Sequence, residues 1–127
     1  MTLIEPPDNA ARQFFEHLGQ HRLMTTRCRS CGTLHYPPRV WCPNCLADDL
    51  EWIELSGRGQ LAAFSTQEQG LRFSAPDVLG LVDLEEGVRI LSLIAATYEQ
   101  LRVGQPVSVE FFEVQPGEVL HRFRPAR

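Results

Sequence analysis

Two Cys-x-x-Cys pairs, Cys28-Arg29-Ser30-Cys31 and Cys42-Pro43-Asn44-Cys45, stand ten residues apart and hold all four cysteines of this 127-residue chain. Two residues between thiols let a tight knuckle aim both sulfurs at one ion while backbone N–H groups point at the thiolates. Two such knuckles complete a tetrahedral S4 site that suits Zn2+. Four protein ligands leave no open position for water, so the spacing predicts a structural metal and not a catalytic one. Iron in the same geometry would make an electron carrier of the rubredoxin kind, and spacing does not separate it from zinc. Disulfides would need an oxidising compartment, for which nothing in the chain argues. A redox pair is not expected with a second pair so close.

The rest of the chain limits what such a site can belong to. The length suits one domain or two very small ones, and excludes a barrel enzyme or a full dinucleotide-binding fold. No apolar run approaches a membrane span, and Met1 to Asp8 lacks the basic and apolar regions of a signal peptide. The expectation is a cytoplasmic protein with no membrane role. All twelve basic residues are Arg, which excludes a Schiff-base lysine and a phosphate-loop lysine. Sixteen acids give a net charge of -4, which speaks against coating DNA. Locally the sign reverses. His17 to Ala47 contains no acid but has Arg22, Arg27, Arg29 and Arg39, and the C-terminal tail adds Arg122, Arg124 and Arg127. These arginines either pair with acids elsewhere or contact phosphate.

The fold class read from the pattern is mainly β, in three parts. Residues 1–21 form an N-terminal helical segment, in which Asp8 caps a helix from Asn9 to Leu18 and Gly19 stops it. Ala11, Phe14, Phe15 and Leu18 recur at helical spacing, as a packing stripe or a docking stripe for a partner. Residues 22–56 form the zinc ribbon, and Ser56-Gly57-Arg58-Gly59 is a joint. Residues 57–127 then read as five strands: Gln60–Thr66, Val78–Leu84, Val88–Ala95, Pro106–Val114 and Val119–Phe123. Glu85-Glu86-Gly87 and Gln115-Pro116-Gly117 are turns, and Tyr98–Val103 is a connector with one helical turn. Five strands in so short a stretch fit an OB-type barrel, and a five-stranded sandwich fragment fits equally. The two modules are too small to be independent, so a shared apolar seam is expected, with Trp41 and Trp52 as candidates.

No catalytic constellation emerges. Ser56 is not in a nucleophile elbow. His17, His21, His35 and His121 are scattered without a fixed acid partner, and Glu85-Glu86 reads as a solvated turn.

Further motifs follow the cysteines in order: Gly32, Tyr36-Pro-Pro-Arg39, Glu51-Trp52, Ser56-Gly-Arg-Gly59, Val82-Asp-Leu-Glu-Glu-Gly-Val-Arg89, Leu101-Arg-Val-Gly104 with Pro106-Val107, and Phe123-Arg-Pro-Ala126. From Phe14 to Ala126 the chain resembles the family catalogued as domain of unknown function 35. The resemblance implies a rubredoxin-like zinc ribbon joined to an OB-fold. It also implies a non-catalytic partner of a thiolase-like enzyme, an acyl-CoA aldolase or a hot-dog-fold enoyl-CoA hydratase, helping to form the acyl-CoA site. One departure stands out: the second knuckle of such proteins often ends in Gly, but Leu46 follows Cys45 here. A bulky residue there is strained if its φ is positive.

An acyl-CoA site needs cations for the nucleotide phosphates and an apolar or aromatic surface for the acyl part. Tyr36 and Arg39, on the strand expected between the knuckles, supply both, with Arg58 and Phe73 as further candidates. The plainer alternatives are that Tyr36 packs beside the metal and that Arg39 pairs with Asp48 or Glu51. Two rival functions remain open on sequence. One is a single-stranded nucleic-acid module, since OB barrels and zinc ribbons both serve there; the other is the iron electron carrier.

Overall fold

Helix α1 (Ala10–Gly19) forms, with Phe14 and Leu18 of the expected stripe buried and Ala11 exposed. Ala10, Phe14 and Leu18, four residues apart, are buried, whereas Phe15 is 53% exposed. The computed structural model describes residues 10–67 and 77–126. The expected cap Asp8, the helix start at Asn9, Arg127 and the candidate Phe73 lie outside the described residues. Two compact units are distinguished, Met1–Leu55 and Ser56–Arg127.

In the first unit, β1 (Met24–Cys28) pairs antiparallel with β2 (Leu50–Glu54), Met24 lying opposite Glu54 and Cys28 opposite Leu50. This hairpin-like pair brings the first cysteine beside the end of the second knuckle. The segment between the knuckles is not the expected strand. It touches β1 through a single bridge, Arg27 with Leu34, and then bends through the cis Tyr36–Pro37 bond. Pro37 and Pro38 have no N–H to donate, so a ladder is not available to them. Threonine hydroxyls of β1 hold the segment instead. Thr25 Oγ1 donates to the His35 carbonyl, and Thr26 Oγ1 accepts the Arg39 amide at 3.0 Å and meets His35 Nδ1 at 3.0 Å. Thr25 and Thr26 are almost wholly buried, so these bonds satisfy groups that would otherwise be costly to bury.

In the second unit the strands are β3 (Arg58–Gln67), β4 (Asp77–Leu84), β5 (Arg89–Ile94), β6 (Pro106–Gln115) and β7 (Glu118–Pro125), with a 3-10 turn at Tyr98–Gln100. They close into a barrel in the order β3-β4-β5-β7-β6. The sandwich alternative therefore falls. Closure depends on two non-local pairings that no hairpin dictates: β3 with β6, and β5 with β7 in parallel at Leu93–Arg122 and Ile94–Phe123. Leu61, Val82, Ile90, Val107 and Phe123 fill the interior at 0–1% exposure. β5 alternates buried and outward residues as a half-buried strand should.

Among the described residues, no helix is long and apolar enough to cross a membrane. Trp52 lies against His17, ring centroids 5.1 Å apart, and Trp41 is 48% exposed.

Two expectations follow from the barrel's packing. A methyl group on Gly59 would sit 2.3 Å from the Asp83 carbonyl oxygen, which is ladder backbone, while one on Gly19 would meet nothing within 4 Å. Gly59→Ala should therefore cost more than about 2 kcal/mol by denaturant unfolding, and Gly19→Ala no more than about 0.5 kcal/mol. Second, burial lowers the pKa of His121 to about 4, and its Nδ1 lies 2.8 Å from Ser92 Oγ. The folded state thus favours the neutral ring, whereas the unfolded chain takes up the proton near pH 6.5. The stability held by the neutral ring is complete above about pH 6.5 and is lost as the pH falls towards 4. His121→Gln should remove that component of the acid slope, and an NMR titration of the His121 ring should give a midpoint near 4.

Candidate metal centre

The two knuckles are built alike. In the first, the Cys28 amide donates to the Thr33 carbonyl and the Gly32 amide to the Cys28 carbonyl. In the second, the Cys42 amide donates to the Ala47 carbonyl and the Leu46 amide to the Cys42 carbonyl. The shared pattern requires a left-handed residue one position after the second cysteine of each pair. Gly32 has φ 79° and Leu46 has φ 66°. A side chain costs about 1–2 kcal/mol in this region, so Leu46 stores strain that Gly32 does not. The knuckle is nonetheless regular, because its hydrogen bonds match those of its twin.

β1, the first knuckle and the second knuckle bring all four Sγ atoms within 4.8 Å of one another. Cys28 and Cys45 are 3.5 Å apart at sulfur, and Cys31 and Cys42 are 3.7 Å apart. Tetrahedral ligation with metal–sulfur bonds of about 2.3 Å needs edges of about 3.8 Å, so the residues fit a four-sulfur ion. Two ligands are buried and two exposed, which places the cluster at the unit's surface. Cys31 is held as a thiolate by Thr33 Oγ1 at 3.1 Å and Asn44 Nδ2 at 3.5 Å, and its pKa falls to about 5. For Cys45 the Ala47 amide favours the thiolate, but hydrogen bonding to Cys28 and partial burial outweigh it and push the thiol up to about 12. Bare sulfurs this close do not ionise together; a central cation removes the repulsion that separates them.

The arginines around the cluster divide sharply. Arg27 and Arg29 both reach Glu51, Arg29 also meets Asp49 at 3.0 Å, and Arg22 meets Glu54 at 3.3 Å. The acids of β2 and its lead-in thus neutralise the basic stretch. Neither Asp48 nor Glu51 pairs with Arg39, which makes no ion pair with any described residue. Arg39 instead lines a cavity of about 190 Å3 together with Ala10, Gln13, Thr26, Val40, Leu50 and Trp52. Its position is fixed at the backbone by Thr26.

Of the other predicted contact residues, Tyr36 packs its ring against Phe14 at 6.1 Å, and burial pushes its phenol up to about 12. Arg58 is held by Glu85 through two bonds of 3.1 Å. It lies in the second unit, whereas Tyr36 and Arg39 lie in the first. Sequence reasoning missed His35, which is 5% exposed and has an Nε2 without a hydrogen-bond partner. It also missed the cavity itself, which arises only when α1, β1 and β2 meet.

Residues 15–51 match the family described as ChsH2, rubredoxin-like zinc ribbon domain, and residues 52–112 match ChsH2, C-terminal OB-fold domain. The chain is 35% identical over 122 residues to a probable enoyl-CoA hydratase alpha subunit of Thermomonospora curvata, covering 94% of this chain and only 38% of that protein's length. It is 32% identical over 98 residues to a DUF35 domain-containing scaffold protein of Methanocaldococcus jannaschii, covering 73% of this chain and 70% of that one. Among solved structures it matches a chain of the Ltp2-ChsH2(DUF35) aldolase with a TM-score of 0.86 and 32% identity, over 97% of this chain and 100% of that chain. A closed five-stranded barrel, a four-cysteine knuckle pair and full-length similarity of this degree together assign the chain to the DUF35 family, with its rubredoxin-like zinc ribbon and OB-fold of the ChsH2 type.

Proposed function

We propose that this chain is a non-catalytic accessory subunit of an acyl-CoA-processing complex, and that it helps to form the acyl-CoA site of a hydratase, aldolase or thiolase-like partner enzyme. The observation that carries this reading is the likeness over its full length to a chain of the Ltp2-ChsH2(DUF35) aldolase, alongside a relative named as a probable hydratase subunit and another named as a scaffold. The four cysteines hold a structural Zn2+, which fixes the ribbon, and the protein works in the cytoplasm, where thiols stay reduced.

The barrel supports the protein-partner reading over the nucleic-acid one. OB-folds that bind oligonucleotides use the outer face of their second and third strands, here β4 and β5. That face carries Leu79, Leu81, Leu91 and Leu93 in two cross-strand pairs, with Leu91 62% exposed. Neither strand has an aromatic residue on which a base could stack. Arg89 at its rim is taken up by Asp83 through bonds of 2.6 and 3.0 Å. An aliphatic face of this kind suits a protein surface.

Of the four residues offered for acyl-CoA contact, Arg39 has the surroundings that best support the role: a guanidinium beside an apolar cavity, without a carboxylate among the described residues. Tyr36 is packed against Phe14, Arg58 would have to leave Glu85, and both stay in the proposal with Phe73 on sequence grounds.

Two measurements check this reading. Elemental analysis of protein purified without chelator should find about one zinc per chain, and Cys28→Ser should lose the ion and lower the thermal midpoint; a red, iron-bearing protein would point to the electron carrier instead. In the assembled complex, Arg39→Ala should raise the apparent KM for the acyl-CoA about tenfold, or about 1.4 kcal/mol, with assembly unchanged. If the complex assembles and KM does not move, Arg39 is structural.

A further inference from the structure

A groove of about 590 Å3 opens on the second unit where β5 ends, lined by Ala95, Ala96, Gln100, Glu110, Arg122 and Arg124. Its chemistry is one-sided. Arg122 and Arg124 lie two apart on β7 and so share one face of the strand. Glu110, directly opposite Arg122 on β6, is the acid they share: Oε2 takes Arg122 and Oε1 takes Arg124 at 3.4 Å. Both carboxylate oxygens are therefore engaged, and one negative charge stands against two positive ones. Gln100 adds to the imbalance, because its Oε1 accepts the Thr97 amide at 2.9 Å, which leaves its NH2 group as the end with free capacity. The lining side chains that can donate to a ligand in this groove are thus Arg122, Arg124 and Gln100.

The donors are also held in place. Arg122 is pinned by Glu110 and by the Phe112 ring, 4.6 Å from its Cζ, so little ordering entropy is lost on binding. Arg124 is 52% exposed and can turn its fork outward. Ala95 and Ala96 add only small side chains to the lining, and the volume is in the usual range for small-molecule sites, roughly 300–1,000 Å3, and well beyond that of a lone phosphate ion.

We infer that this groove is a binding site for the phosphate-bearing end of a nucleotide-sized ligand, with Arg122, Arg124 and Gln100 as its donors. The ligand's identity rests on the function proposed above, on which reading it is the phosphorylated adenosine of acyl-CoA; the anion site itself rests only on the groove. Guanidinium forks recognise phosphate bidentately, and Glu110 sets their orientation while leaving a net positive charge.

The test uses the full-length, zinc-loaded chain by itself, with 3′,5′-ADP as the probe. Calorimetry should detect binding that weakens with salt, and the Nε–Hε resonances of Arg122 and Arg124 should shift on titration. Arg124→Gln should weaken binding about tenfold with the thermal midpoint unchanged, while Arg89→Gln, on another face of the barrel, should leave it intact. Neutral pantetheine should not shift those resonances. The inference is overturned if 3′,5′-ADP leaves them unmoved, if Arg124→Gln binds as well as wild type, or if a single-stranded oligonucleotide competes for the groove with higher affinity. Failure here, with the Arg39→Ala effect on KM intact in the complex, would remove the groove and leave the accessory role standing.

Discussion

Four sulfur ligands within 4.8 Å of one another pose an electrostatic problem that a divalent cation resolves. A small module has too little apolar interior to fold on burial alone, and metal binding of this kind can contribute on the order of 10 kcal/mol. The first unit is arranged around that contribution. β1 ends in Cys28 and begins beside α1, so the strand that delivers the first ligand also carries the helix's packing face. Its two buried threonines anchor the irregular segment that links the knuckles. The strain at Leu46 is affordable because two hydrogen bonds and a ligand hold the same turn.

The barrel depends on no such ion. Among the described residues its wholly buried interior includes Leu61, Val82, Ile90, Val107 and Phe123, and its closure depends on a backbone approach at Gly59 so close that a methyl group would collide with Asp83. A barrel with its interior filled has no cavity at its axis, so recognition falls to the outside. There the outer surface is divided by chemistry: four leucines on β4 and β5, and paired arginines with a shared glutamate on β6 and β7. The first suits a protein surface and the second an anion.

Charge repeats the same logic of pairing and exception. An acidic protein with an acid-free stretch invites a search for phosphate contacts along the whole stretch. Most of those arginines are instead taken up by β2 and its lead-in, and their exposed pairs contribute little to stability, about 0–1 kcal/mol each. Their effect is to leave Arg39 distinct, the cation of that stretch set beside an apolar cavity and not beside a carboxylate.

The sequence by itself determined the features whose physics is local. Cysteine spacing set the metal geometry, because two intervening residues suffice to form a knuckle. Alternation and turn residues placed the five barrel strands within about two residues of their observed limits, and Glu85-Glu86-Gly87 fixed a hairpin. Pro37 and Pro38 were legible too, yet the stretch that holds them was expected to be a strand, which their missing N–H groups prevent. Only the tertiary structure decided the features that depend on residues far apart in the chain. The register of β1 on β2 put Arg27 opposite Glu51, 24 positions away, and so left Arg39 without that acid. The parallel meeting of β5 and β7 closed the barrel and opened the groove beside Arg124. Helix α1 took Tyr36 for its own packing through Phe14. Each of these is a choice among many sterically allowed pairings, and the choice is made by the global minimum of burial and hydrogen bonding, which no local window of sequence contains.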